Sequence, residues 1–242
     1  MTLHAFDQLW VYLSGAPLLY LLVTLLAFWL ATVLNKRFGG TPFLHPVLVA
    51  IVLIICFLLI THTTYATYFD GAQFIHFLLG PATVALAVPL YDHLARVRSM
   101  LIPLGLACVG GIIISAFMTL GLATAMGAPH QLLVTLAPKS VTSPIAMGIA
   151  DQLGGIPSLA AGLVLITGAI GAATGPVVFR LLKIRDHTVQ GFTMGLSAHG
   201  FGTAHCFSSI SALAGAFAGL AMGLTGLLTA ILLPLLVKLF GL

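Results

Sequence analysis

The residues best placed to do chemistry lie in three short segments of an otherwise apolar chain. The densest polar cluster is Pro138-Lys139-Ser140-Val141-Thr142-Ser143-Pro144. A lysine beside three hydroxyls can hold a small carboxylate by charge and hydrogen bonds. A second cluster is Ser197, His199 and Thr203, threaded by Gly200 and Gly202. Its histidine can donate to an anion or change charge near neutral pH. The third is Gly80-Pro81-Ala82-Thr83. Proline suits the first turn of a helix, so a half-helix beginning there would aim free N–H groups and the Thr83 hydroxyl at an anion. These residues (Gly80, Pro81, Thr83; Pro138, Lys139, Ser140, Thr142, Ser143; Ser197, His199, Gly200, Gly202, Thr203) form the candidate substrate-binding set. Asp151 and Asp92 are candidates for carrying a coupling proton or ion. For Asp92, beside Arg96, an interfacial cap is the preferred reading. Lys139 snorkelling to an interface and His199 as a satisfied buried histidine stand as alternatives of about equal weight.

The elements that position these residues follow from composition. Of 242 residues 60% are hydrophobic and 6% charged, and mean hydropathy is +1.16. A soluble domain carries about 25% charged residues, so this chain cannot cover a water-exposed surface. Disorder is excluded by the high hydrophobicity. Nine Lys/Arg spread along the chain make no nucleic-acid-binding face. An integral membrane protein remains. Continuous apolar runs without strict alternation exclude a β-barrel, so the spans are helices. The fold class is all-α and polytopic, with about seven or eight membrane segments. Spans are expected near 9–34, 44–62, 71–96, 100–127, 157–183, 187–207 and 209–240. The opening MTLHAFDQLW has no basic n-region or cleavage site, so the first span is expected to be retained. Cys56, Cys108 and Cys206 are scattered, which fits buried small hydrophobes and neither disulfides nor a metal site.

Basic clusters at Lys36/Arg37, Arg96/Arg98 and Arg180/Lys183/Arg185 are expected on the cytoplasmic side. That orientation makes residues 128–156 begin and end on the same side. A re-entrant element turning near Pro138 to Pro144 satisfies this, with non-helical backbone buried in protein or lining a cavity; the alternative is a simple span with later orientation reversed. Segments 71–96 and 187–207 are then expected to run antiparallel, both interrupted and sharing G-x-x-T. Together these suggest an inverted repeat of the transporter type with elevator-like movement. The corresponding divisions are 1–43 (N-terminal helix and linker), 44–127 (first repeat), 128–156 (re-entrant element) and 157–242 (second repeat). No Ser/His/Asp arrangement, paired carboxylates or phosphate-cradling loop emerges, so the sequence supports no enzyme activity, no cofactor and no metal.

The segments HPVLVAIVLI (45–54), LLGPATVALAVPLY (78–91), LAPKSVTSPIAM (136–147), GGIPSLAAG (154–162), SAHGFGTA (197–204) and GAFAGLAMGL (215–224) together resemble the LrgB/CidB family, from about residue 45 to the end. The resemblance implies a bacterial inner-membrane protein paired with a smaller LrgA/CidA-type partner. It also implies one of two activities. One is antiholin-like control of murein hydrolase export and cell lysis. The other is transport of small monocarboxylates, as in the plastid glycolate/glycerate translocator and in relatives tied to pyruvate movement. HCFSSISALAG (205–215) carries fewer charges than expected of many relatives. The reading from sequence is a secondary monocarboxylate transporter, a homodimer by analogy with transporters of this design, with the pore or lysis-regulator role as the alternative.

Overall fold

Apolar sequence in a bilayer has no water to satisfy its backbone, so helices take nearly all of it. The computed structural model describes residues 17–39, 44–85, 87–239 and 241, which are helical except for turns and short links. The chain divides between Ala85 and Leu86 into two compact units.

The first unit holds α1 (Pro17–Arg37), α2 (Pro46–Ile60) and α3 (Tyr65–Ala85). Proline opens α2, where His45 Nδ1 accepts from the Val47 N–H, so two otherwise orphaned end positions are resolved. Ala27 and Ala31 of α1 meet Ala50 of α2 in a small-residue seam. The Thr24 and Tyr68 hydroxyls join α1 to α3 at 2.8 Å.

The second unit comprises α4 (Ala87–Asp92), α5 (Leu94–Ser99), α6 (Leu101–Ala125), α7 (His130–Leu136), α8 (Ser143–Gln152), α9 (Pro157–Leu181), α10 (His187–Ser209) and α11 (Ala212–Leu239). α6 and α11 run parallel. Leu104 and Cys108 of α6 lie with Phe217 and Ala221 near the start of α11, whereas Ala116 and Leu120 lie with Leu233 and Val237 near its end. α9 runs the other way: its last residues adjoin both His187 and Ile210.

Two hairpins fill the space between these long helices. In the first, α7 and α8, of 7 and 10 residues, are about 10 and 15 Å long, too short to cross a hydrocarbon core of about 30 Å. The chain reverses between them. Leu133, Val134 and Ala137 pack against Ile149, and the Ile156 N–H returns to donate to Thr135 Oγ1 at 2.9 Å. The second hairpin is α10 itself. His199 sits inside it at φ 39°, ψ −124°, a region that costs a non-glycine residue about 1–3 kcal/mol. Beyond His199 the helix doubles back. The His187 ring nitrogen and the Ser211 hydroxyl, 24 residues apart, are 3.0 Å from each other; a straight helix would separate them by about 36 Å. Small residues permit the reversal. A Cβ on Gly202 would collide with the Met194 carbonyl, and on Gly191 or Gly195 with the Ala214 or Ala218 backbone. Such close backbone approach is the usual basis of helix association in membranes.

Three expectations change. Segment 187–207 is not a single crossing, because it begins and ends at one end of the unit. Gly80-Pro81 does not start a half-helix, because α3 continues through Pro81 to Ala85. Pro81 occupies an interior position that lacks only one backbone hydrogen bond, and the helix ends four residues later. The count of crossing helices is also lower than expected: among the described residues four are long and apolar enough, Leu18–Arg37, Leu101–Ala125, Pro157–Leu181 and Ala212–Leu239. The remaining apolar sequence lies in the hairpins, in the 15-residue α2 and in α3. Residues 9–16 of the first expected span lie outside the described residues. Cys108 and Cys206 are buried, and Cys56 is exposed on α2.

Candidate functional site

The two hairpins enter the second unit from opposite ends and reach similar depths. The Ser140 hydroxyl in the first turn meets the Ser115 hydroxyl at 2.9 Å, ten residues from the end of α6, or about 15 Å in. In the second, the His199 ring contacts the Val164 carbonyl of α9 at 3.1 Å. The Thr203 hydroxyl donates to the His199 carbonyl, one turn back, at 2.9 Å. Gly168 of α9 leaves room for the His199 ring, which a Cβ there would strike.

Near these turns lies a cavity of about 680 Å³, within the usual range for small-molecule sites. The first hairpin contributes Pro138, Lys139 and Ser140 to its wall, and the second contributes Ser197. The long helices add Ser115 and Thr119, Thr167, and Thr225 and Thr229. Lys139 Nζ is 3.3 Å from Ser140 Oγ and 3.4 Å from Ser115 Oγ. No acidic residue among the described residues lies within salt-bridge distance of it; the ion pair seen there joins Arg96 to Asp186 at 2.9 Å. The half-buried Lys139 ammonium thus faces hydroxyls rather than a carboxylate among the described residues.

The structure gathers only part of the expected set. Pro138, Lys139, Ser140 and Ser197 line the cavity, whereas Thr142, Ser143, His199, Gly200, Gly202 and Thr203 do not. Thr142 and Ser143 instead start α8. His199, Gly202 and Thr203 are buried in the second hairpin. Gly80, Pro81 and Thr83 lie on α3 in the first unit. Asp151 is exposed in the last turn of α8, and Asp92 is exposed at the end of α4; neither lines the cavity. Asp92 does not hold Arg96, which reaches Asp186 instead. Ser115, Thr119, Thr167, Thr225 and Thr229 line the cavity and are not among the residues expected from the sequence. A signal was present: Ser115/Thr119 and Thr225/Thr229 are i, i+4 hydroxyl pairs on apolar helices, a spacing that puts each pair on one face.

At the basic end, Asp186 caps α10 by accepting from the Thr188 and Val189 N–H groups. The Val189 N–H, the Thr188 N–H and the Arg96 guanidinium hold its carboxyl below the usual carboxylate range.

Comparison with known proteins agrees with this architecture of apolar helices. Residues 24–239 match the model of the LrgB-like family. The chain is 38% identical over 190 residues to "Uncharacterized protein YxaC" of Bacillus subtilis, covering 77% of this chain and 80% of that protein. It is 31% identical over 201 residues to "Uncharacterized protein YwbG" of the same organism, covering 83% and 88%. It is 29% identical over 223 residues to "Holin-like protein CidB" of Staphylococcus aureus, covering 92% and 96%. No solved structure matches the chain. With the family match over most of its length and four apolar helices able to cross a bilayer, the chain is a multi-pass bacterial membrane protein that belongs to the LrgB-like family.

Proposed function

We propose that this protein is a secondary transporter of small organic anions, of the monocarboxylate class that includes glycolate, glycerate and pyruvate. The observation that carries the reading is Lys139, presented with Ser115 and Ser140 into a cavity and left without a carboxylate partner. A bound carboxylate supplies the missing charge, and the hydroxyls orient it. The hairpins supply the access route. α6 with the first hairpin and α9 with the second form an inverted repeat: α6 and α9 are antiparallel, and each hairpin turns near mid-helix. Transporters bind substrate at such midplane breaks and open alternately to either side. This pairing replaces the one expected between 71–96 and 187–207. The basic end, with Arg96, Arg98, Arg180, Lys183 and Arg185, faces the cytoplasm. The first hairpin is thus re-entrant from outside and the second from inside. Elevator-like displacement of the second unit against a scaffold, which also forms the homodimer, completes the cycle.

A second reading has its own support in the "holin-like" name of the CidB relatives, which speaks for it at least as directly as the cavity speaks for transport. On that reading the chain is a pore or antiholin-like regulator of murein hydrolase export and lysis, acting with an LrgA/CidA-type partner. Counterflow in liposomes separates the two. A transporter gives saturable, selective exchange of labelled glycolate or pyruvate and no dye leak. Unsaturable leak of ions or dye, with no exchange of any two- or three-carbon acid, rejects the transport reading.

A further inference from the structure

A second cavity, of about 420 Å³, lies at the basic end, where the last turns of α9 meet both ends of the second hairpin. Arg180, Lys183 and Arg185 line it, with His187, Gln190 and Ser209. Among the described residues no acid pairs with any of the three cations. The nearest acid by sequence, Asp186, is already engaged by Arg96 and by the N–H groups that it caps. Arg180 stands in the last turn of α9, and the loop that carries Lys183 and Arg185 is held by two hydrogen bonds: the Ile184 N–H donates to the Phe179 carbonyl at 2.8 Å, and Gln190 Nε2 donates to the Ile184 carbonyl at 2.8 Å. Phe179, Ile184 and Ile210 add an apolar margin. Three unpaired cations and neutral donors around one cavity suit an anion with several oxygens, and basic pockets between membrane helices are a recurrent setting for lipid headgroups.

We propose that this cavity binds a phosphate group, and that the bound phosphate bridges α9 to both ends of the second hairpin. Its source is the headgroup of an anionic phospholipid or a soluble phosphate. The site does not depend on the transport reading. The test is thermal unfolding of the purified protein in uncharged detergent, titrated in one arm with phosphatidylglycerol against phosphatidylcholine, and in the other with inorganic phosphate against chloride at equal ionic strength. The proposal expects stabilisation in one arm, which identifies the source. It also expects apparent affinity to fall by about tenfold or more in the combined Arg180→Gln, Lys183→Gln, Arg185→Gln variant, while Lys238→Gln behaves as wild type. If the triple variant does not fold, each single variant is expected to weaken binding by about fivefold. Absence of stabilisation in both arms, or an undiminished response in the variants, overturns the proposal.

Discussion

Replacing Lys139 by methionine is expected to make the ligand-free protein more stable and to weaken its anion binding by one to two orders of magnitude. Methionine keeps the length and apolar stem of the side chain and removes only the charge. On insertion scales a lysine at the centre of a spanning helix costs about 2.5–3.5 kcal/mol. Here the ammonium recovers part of that from Ser115 and Ser140, but at 3.4 and 3.3 Å both contacts sit at the outer limit of a hydrogen bond, and they return about 1 kcal/mol together. Among the described residues no carboxylate offsets the rest. The net gain on substitution is therefore about 1.5–2.5 kcal/mol, or about 3–10 °C in Tm for a chain of this size. Loss of a charged hydrogen bond to the ligand costs about 1.5–3 kcal/mol, which weakens anion binding about 10- to 150-fold. Thermal unfolding with and without pyruvate or glycolate, alongside counterflow of the labelled acid, reads both effects. A Tm that falls in the ligand-free Lys139→Met protein would show that Lys139 is held by the fold rather than waiting for an anion. A ligand-induced Tm shift equal to wild type would show that the anion binds elsewhere. Either result rules out Lys139 as the anion's partner.

Other outcomes follow from the hairpins and the cap. In a background lacking Cys56, Cys108 and Cys206, cysteines placed at His187 and Ser211 are expected to form a disulfide under mild oxidation, read as a mobility shift after cleavage between them; maleimide labelling of both without cross-linking would show a straight α10. Gly195→Ala is expected to destabilise by about 1–3 kcal/mol, because its Cβ meets the Ala218 backbone, which cannot rotate away. Gly200→Ala, with open space around it, is expected to be neutral or slightly stabilising, and unfolding of the two variants side by side decides whether close backbone contact sets the cost. Asp186 has a folded-state value below its ordinary 3.8, so its contribution is fully present above pH 3.8 and disappears as pH falls through the lowered value. The Tm difference between wild type and Asp186→Asn is expected to stay constant above that pH and to shrink below it; a difference that grows on acidification contradicts the capping role.

Several of these features were legible without a structure, each for an identifiable reason. The boundaries of α6 and α9 lay within two residues of the expected spans, because uninterrupted apolar runs flanked by charge leave the backbone no alternative to a helix. The chain reversal between α7 and α8 is signalled in the sequence by Pro138 and Pro144, which interrupt an otherwise apolar stretch. The second hairpin was half legible. Gly200 and Gly202 marked a break, but its angle was not written locally, since a kink and a full reversal share the same glycines. Gly80-Pro81 misled for the converse reason. A proline mid-helix removes one hydrogen bond, and an otherwise strong apolar helix can run through it.

The solvent, the helical class and the family are written in the amino-acid sequence: a chain with 6% charged residues has only lipid to face, and in lipid a chain without strand alternation is left with helices. It also singled out Lys139, because a lone cation within apolar sequence is conspicuous. What surrounds that cation is set by the packing of distant helices. Ser115, Thr167 and Thr225 belong to three helices far apart in the chain and meet at one cavity, while Thr203, close to Ser197 in sequence, is buried away from it. Local pattern reports which face of a helix a residue occupies. Which faces then converge depends on how small residues let the backbones approach, and no single segment contains that information.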